Sequence, residues 1–376
     1  MFFHSLILPS QRAICRLVPT TNRVTGNYGK IKADMEQSKI TLIGTPPRMF
    51  KTMLAGFNTI ANNAYLLIFP IVLNLALWLG PKLRLKELLT PTVGQFSTEL
   101  LRLSPADMVE TIKSSQTIWA QLLEQYNLAT VIRTIPVGIP SLIARLSPIE
   151  SPLTWNPIVE IPSLNWAVAA IGIFLTVGFL LGSLFFYLIS LETDKEKQKF
   201  IFKDYLFTYI NSVVIFCLLL GVGILIAIPI FLILSVLSLM NATLAQVFIL
   251  LAGFGLLWFL MPLVFSIHGV FVLKKKAMAS ILISIRLIRF YLPGTGLFVM
   301  TAALLSELLN KLWILPEPDS WMMLFSIGGH SFVVAGLLAA SFIYYREGLR
   351  WMQDNAETIA NLRKKAQMGG GTNIEQ

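Results

Sequence analysis

Apolar residues fall along this chain in six long blocks, each about 20 residues or more, which is the length that crosses a bilayer core as a helix. The blocks run from Phe57 to Leu79, Trp166 to Leu191, Phe207 to Leu239, Leu244 to Leu273, Tyr291 to Trp313 and Trp321 to Tyr345. Most connectors between them are short, so neighbouring blocks pair as out-and-back hairpins. The prediction is an all-α polytopic membrane protein of six transmembrane helices in three hairpins. The third block exceeds the bilayer thickness and must tilt, kink or protrude; Pro229, after Gly221 and Gly223, is the expected kink site. Pro262 offers the fourth block a similar bend.

A basic amphipathic stretch leads each hairpin. The leads are Arg48 to Leu54, Lys195 to Phe200 and Lys274 to Ser280. In the third, Met278, Ile281, Leu282, Ile285 and Ile288 recur at three- and four-residue intervals, with Lys274, Lys275, Lys276, Arg286 and Arg289 as cations. Phe50, Leu54 and Phe57 follow the same rule behind Lys51, and Phe200 and Tyr205 flank Lys199 and Lys203. Helices of this kind lie in the headgroup layer. Anionic lipid is therefore the expected partner of the third lead, at about 1 kcal/mol per cation near the surface.

The connector from about 80 to 165 is different. Ser104-Pro105-Ala106-Asp107 reads as an N-cap, a first-turn proline and an acid. Met108, Ile112, Trp119, Leu122, Leu123 and Tyr126 then form one apolar face of a helix of about five turns. Prolines at 136, 140, 148, 152, 157 and 162 exclude a regular helix or central strand beyond it. The expected picture is a helix and an extended strap resting on the outer ends of the spans, as a cap, a lid or a docking surface for a protein partner.

Composition agrees with the pattern: 55% of residues are hydrophobic, 13% are charged, and mean hydropathy is +0.70, values a water-exposed surface does not sustain. The net charge of +10 is distributed by topology. Lys and Arg number eight before the first block, four and five in the second-to-third and fourth-to-fifth connectors, and five after the sixth block. On the other face the long connector carries seven, a length that weighs little in the positive-inside rule, and the short ones carry none and one, Lys311. Both termini are thus expected in the cytoplasm, with the chain multi-pass in the cell membrane. Residues 1–47 read as a disordered leader whose true start is Met35, 48–345 as the membrane domain, and 346–376 as a cytoplasmic tail. A nucleic-acid partner would need a basic soluble surface with stacking aromatics, which is absent from the pattern.

Ser280-Ile281-Leu282-Ile283-Ser284-Ile285-Arg286-Leu287-Ile288-Arg289-Phe290, set before a span, resembles the small-x-x-x-Ser-x-Arg-Leu-x-Arg lead of bacterial six-span membrane proteins. These are akin to the membrane domain of glycerophosphodiester phosphodiesterase. The likeness covers mainly Lys274 to Leu305 and the three-hairpin plan. The long connector departs from that family, and no soluble phosphodiesterase domain follows the spans. The resemblance implies a membrane module and not the esterase chemistry.

Candidate chemistry is sparse. His330 falls near the middle of the sixth block behind Gly328-Gly329, and Glu307 lies in the fifth, four residues before Lys311. An ionisable group within a span is costly, so His330 and Glu307 are the candidate polar site, either a relay or a structural pair. No Gly-x-x-x-x-Gly-Lys, His-Glu-x-x-His or Gly-x-Ser-x-Gly motif occurs, and Cys15 and Cys217 are placed too far apart to bridge. No enzyme, cofactor or metal is expected. The leading expectation is a non-enzymatic scaffold or accessory subunit; the alternative is a small transporter or channel with a polar site near the midplane.

Overall fold

The computed structural model describes residues 44–103, 108–145, 151–153, 157–196 and 198–369. Residues 1–43 of the expected leader, with Met35, the N-cap at Ser104 to Asp107, Pro148, and Lys197 of the second lead lie outside the described residues. Contacts divide the chain into Met1–Gly44 and Thr45–Gln376, and all that follows concerns the second unit. It is all-α apart from one short sheet. Among the described residues five helices are long and apolar enough to cross a membrane, and a sixth candidate is bent.

The bent one is the first. It divides into α1 (Met49–Asn62), a 3-10 turn over Ala64–Leu67 and α2 (Ile68–Leu79), and the two parts meet at 89°. The Phe57–Leu79 span is therefore not one straight helix. Asn63 leaves helical geometry (φ −129°, ψ 54°) while its side chain donates to the Thr59 carbonyl (2.9 Å), the local competition with the helix ladder to which asparagine is prone.

The 80–165 connector holds β1 (Lys82–Arg84), α3 (Lys86–Leu103), α4 (Val109–Gln125) and β2 (Ile158–Glu160). The two strands pair in parallel, Lys82 opposite Ile158 and Arg84 opposite Glu160. Both α3 and this sheet were illegible in the proline pattern. The predicted apolar face of α4 is only partly used: Ile112 and Leu123 are buried, while Trp119, Leu122 and Tyr126 stay exposed.

The strap does not rest on helix ends. The next long helix, α5 (Leu164–Glu192), presents Gly178 and Gly182 near its midpoint to the 132–138 segment of the connector. A Cβ on Gly178 would strike the Ile132 carbonyl, and one on Gly182 would come within 2.8 Å of Gly138 Cα. Irregular backbone beside the middle of so apolar a helix is tolerated when protein surrounds it. Here Val137, Leu142 and Ile143 are fully buried, and the Thr134 hydroxyl donates to the Val137 carbonyl (2.5 Å).

One polar side chain fixes this inserted segment. Asn74 on α2, fully buried, accepts at Oδ1 from the Ser141 hydroxyl (2.9 Å), the Leu142 N–H (2.9 Å) and the Ile143 N–H (3.0 Å). Its Nδ2 donates to the Pro70 carbonyl (2.6 Å), so both ends of the amide are used.

α6 (Phe202–Met240) and α7 (Ala242–Leu260) form a hairpin through Asn241, whose side chain accepts from Thr243 N (2.8 Å) and Leu244 N (3.2 Å). Pro229 lies inside α6 without ending it. From Tyr205 to Leu273 no Asp, Glu, Lys or Arg occurs, and beyond about residue 218 nearly every side chain of the hairpin is exposed.

The fourth block breaks at Pro262 into a 3-10 turn (Met261–Leu263) and α8 (Ser266–Leu273). α9 (Ala277–Phe290) then folds back antiparallel on it: Ser284 Oγ donates to the Pro262 carbonyl (2.8 Å) and Ser280 Oγ to the Ser266 carbonyl. These serines satisfy backbone groups at the break. The third lead is thus a helix, but its bundle-facing side is Ala277, Ser280, Ser284, Leu287 and Ile288. Of the predicted apolar stripe, Met278 and Leu282 are exposed, Ile281 and Ile285 half-buried, and only Ile288 is buried. Small residues take the inner side because α9 approaches α8 closely. The second lead is not a helix: residues 198–201 are irregular, and Lys203 and Tyr205 already belong to α6.

α10 (Leu292–Trp313) and α11 (Met323–Gly369) close the bundle as an antiparallel pair. Tyr291 meets Trp351 (ring centroids 5.2 Å), Phe298 stacks on Tyr344 (4.2 Å), and Trp313 lies against Gly329. On another face α1 runs antiparallel to α11, with Thr52 donating to Glu347 (3.4 Å) and Phe57 against Phe332 (5.7 Å). α11 continues past Tyr345 to residue 369, so the first part of the expected tail extends the sixth helix.

Candidate functional site

The charged connectors converge on residues 341–351 of α11. Pro47, just before the first lead, packs at Gly348, and Thr52 of the lead reaches Glu347. The α5–α6 connector arrives through Asp194, the turn after α8 through Lys274, and the end of α9 through Phe290 and Tyr291, both edge-on to Trp351.

α8 meets α11 here. Over its length its contacts stay within one stretch: Phe265 meets Tyr344 and Tyr345, His268 meets Ser341, and Phe271 meets Phe342. Ser341 Oγ donates to the Leu338 carbonyl (2.7 Å), so toward His268 Nε2 (2.8 Å) it accepts, and Nε2 carries a proton. Nδ1 of His268 and the hydroxyl of Tyr345, both buried, have no protein hydrogen-bond partner among the described residues. Their rings lie 5.7 Å apart.

Next to this cluster Arg346 Nη1 donates to Asp194 Oδ2 (2.6 Å) and Nη2 to the Ser190 carbonyl (2.6 Å). The pair is 13% and 9% exposed, shielded enough that each charge depends on the other. It ties the end of α5 to α11.

Lys274 completes the group. It ends α8 in the left-handed conformation (φ 51°, ψ 38°), where glycine is usual. Its ammonium lies 4.1 Å from the centroid of the Tyr187 ring, a cation–π contact, and has no hydrogen-bond acceptor among the described residues. Burial lowers its pKa to about 8, against the attraction of Asp204 and with the repulsion of Arg346.

Of the five cations expected at lipid, Lys275, Lys276, Arg286 and Arg289 are exposed, while Lys274 turns into the protein. His330 is buried on α11 at 2% exposure, and Glu307 is exposed on α10. His268, Tyr345, Arg346, Asp194 and Asn74 were not singled out from sequence as a site. Asn74 had a signal, since it is one amide inside an apolar run; Asp194 and Arg346 had none, being 152 positions apart. Among the described residues no group of His, Cys, Asp and Glu could hold a metal.

No family model, curated protein or solved structure matches the chain.

Proposed function

We propose that the chain is an integral protein of the cytoplasmic membrane, non-enzymatic, serving as a scaffold or accessory subunit with both termini in the cytoplasm. One observation carries this reading: the α6–α7 hairpin holds no Asp, Glu, Lys or Arg from Tyr205 on, and beyond about residue 218 it is almost wholly unburied, beside a bundle that is otherwise packed. Lipid or a partner's apolar helices are the surroundings that suit such a surface. The gathering of the charged connectors around residues 341–351 of α11, next to the C-terminal end of its apolar stretch, suits the positive-inside assignment, with Lys275, Lys276, Arg286 and Arg289 read as facing the inner leaflet. The likeness of Ser280 to Phe290 to the six-span family adds a membrane module to the same reading. The test is site-specific photo-crosslinking in native membranes. A probe at Leu250 or Leu257, both exposed, is expected to give a reproducible protein adduct, and one at buried Phe271 none. Lipid adducts alone at both exposed positions would remove the scaffold reading.

A second reading, a small transporter or channel, is favoured by the broken first and fourth blocks and by the segment that Asn74 holds against mid-α5. It assigns the path to the region of His330 and Glu307. In reconstituted vesicles His330→Leu and Glu307→Gln are then expected to alter flux or proton coupling, and normal flux in both removes that site.

A further inference from the structure

We propose that the Lys274–Lys276 turn is a two-state latch for an anionic phospholipid headgroup: Lys274 rests inward on the face of Tyr187 and swings outward to join Lys275 and Lys276 when the phosphate is present. This rests on the reading that Lys275 and Lys276 face the inner leaflet.

Three features of the turn support it. First, Lys274 holds a left-handed backbone conformation that costs a side-chain-bearing residue energy glycine would not lose. The one closure that holds the turn is long, Lys275 N–H to the Gly269 carbonyl at 3.4 Å. Second, the inward ammonium is poorly satisfied. Its neighbours from each packed helix are Tyr187 of α5, Asp204 of α6 and Arg346 of α11, the last already committed to Asp194, and none of them hydrogen-bonds it. Third, the outward state is prepared. Lys275 and Lys276 are exposed, and the next residue, Ala277, is fixed by its N–H to Asn211 Oδ1 (2.9 Å), so the turn moves between two anchored helices.

The inward and outward poses differ in the environment of one charge, so a ligand that favours the outward pose shifts the population. An anionic headgroup does so through an added lysine contact, about fivefold in population at the usual strength of a lysine near anionic lipid. The direction with pH follows from burial. The inward amine titrates at about 8 against an ordinary 10.5, so the outward pose holds the proton more tightly; it gains population as pH falls from about 10.5 to about 8, and the gain is complete below that. Above about 10.5 the amine is neutral in both poses and the bias is lost.

Acylation of surface amines, read by peptide mass spectrometry on the full chain in nanodiscs, tests the latch. In phosphatidylcholine discs Lys274 is expected to react far more slowly than Lys275 and Lys276. A lowered pKa by itself would speed acylation, so slow labelling reports occlusion. Phosphatidylglycerol in the discs is expected to raise Lys274 labelling relative to its neighbours by about fivefold. Tyr187→Leu should give fast labelling in phosphatidylcholine with no further response, and Tyr187→Phe, which keeps the ring, should label as the parent does. Equal protection of Lys274 in both kinds of disc overturns the latch. Release by inorganic phosphate in phosphatidylcholine discs to the same extent overturns the lipid as its ligand. If phosphatidylglycerol leaves Lys275 and Lys276 unaffected while Lys274 still responds, the reading of Lys275 and Lys276 as headgroup contacts at the inner leaflet fails, while release of Lys274 by the anionic lipid stands.

Discussion

Asn74→Leu is expected to destabilise the protein by about 2–6 kcal/mol, because two backbone N–H groups lose their acceptor at a fully buried position and each such loss costs about 1–3 kcal/mol. Leucine matches the apolar character of α2 but offers nothing to Leu142 and Ile143. The Ser141 hydroxyl loses its acceptor as well, although it can rotate. The result is read as a lowered unfolding midpoint in detergent micelles and as new proteolytic cleavage within residues 133–145. Ser141→Ala removes two neutral hydrogen bonds, the donation to Asn74 and the acceptance from the Ala144 N–H (3.1 Å), and about 1–3 kcal/mol is expected. Asn74→Asp should not rescue: it keeps the acceptor, loses the bond to the Pro70 carbonyl and introduces a buried charge. An unchanged midpoint and unchanged cleavage in Asn74→Leu would show that the inserted segment is held by its apolar contacts alone.

Arg346→Leu is the second large effect, about 3–5 kcal/mol, since removing one member of a shielded ion pair leaves the other charge without compensation. The arginine serves two acceptors at once, Asp194 Oδ2 and the Ser190 carbonyl, through separate nitrogens of one planar group. Arg346→Lys is therefore expected to recover little. Adding Asp194→Asn to Arg346→Leu should recover a large part, because the stranded carboxylate is what makes the single change severe. If the double variant is no more stable than the single one in the same midpoint assay, the loss lies in packing and not in the unpaired charge.

The two sites differ in how far a sequence reader can find them. Asn74 interrupts an apolar run and so announces a buried hydrogen-bonding need, though nothing nearby says that its partners are 67 to 69 residues away. Asp194 and Arg346 each sit in an ordinary charged connector, and only the convergence on α11 makes them a pair. The third lead shows an intermediate case. Its helix is legible from spacing, yet the side that meets the protein is the one with Ala277, Ser280 and Ser284, because closeness of approach to α8 outweighs side-chain hydrophobicity. In the second lead the basic residues were legible and its described residues are not helical, since the nine residues between Glu192 and Phe202 are too few to form a stable helix of their own.

Block length and hydropathy were enough to establish helices as the dominant structure and to locate five of them and most of a sixth, because an apolar run of that length has one regular way to satisfy its own backbone. The break at Asn63, the burial of the proline-rich segment against Gly178 and Gly182, the inward turn of Lys274 and the choice of His268 over other polar groups as a partner for Ser341 belong to the tertiary structure alone. Each depends on which distant backbone or side chain comes within hydrogen-bonding or van der Waals range, and that information is carried by the packed fold, not by local spacing.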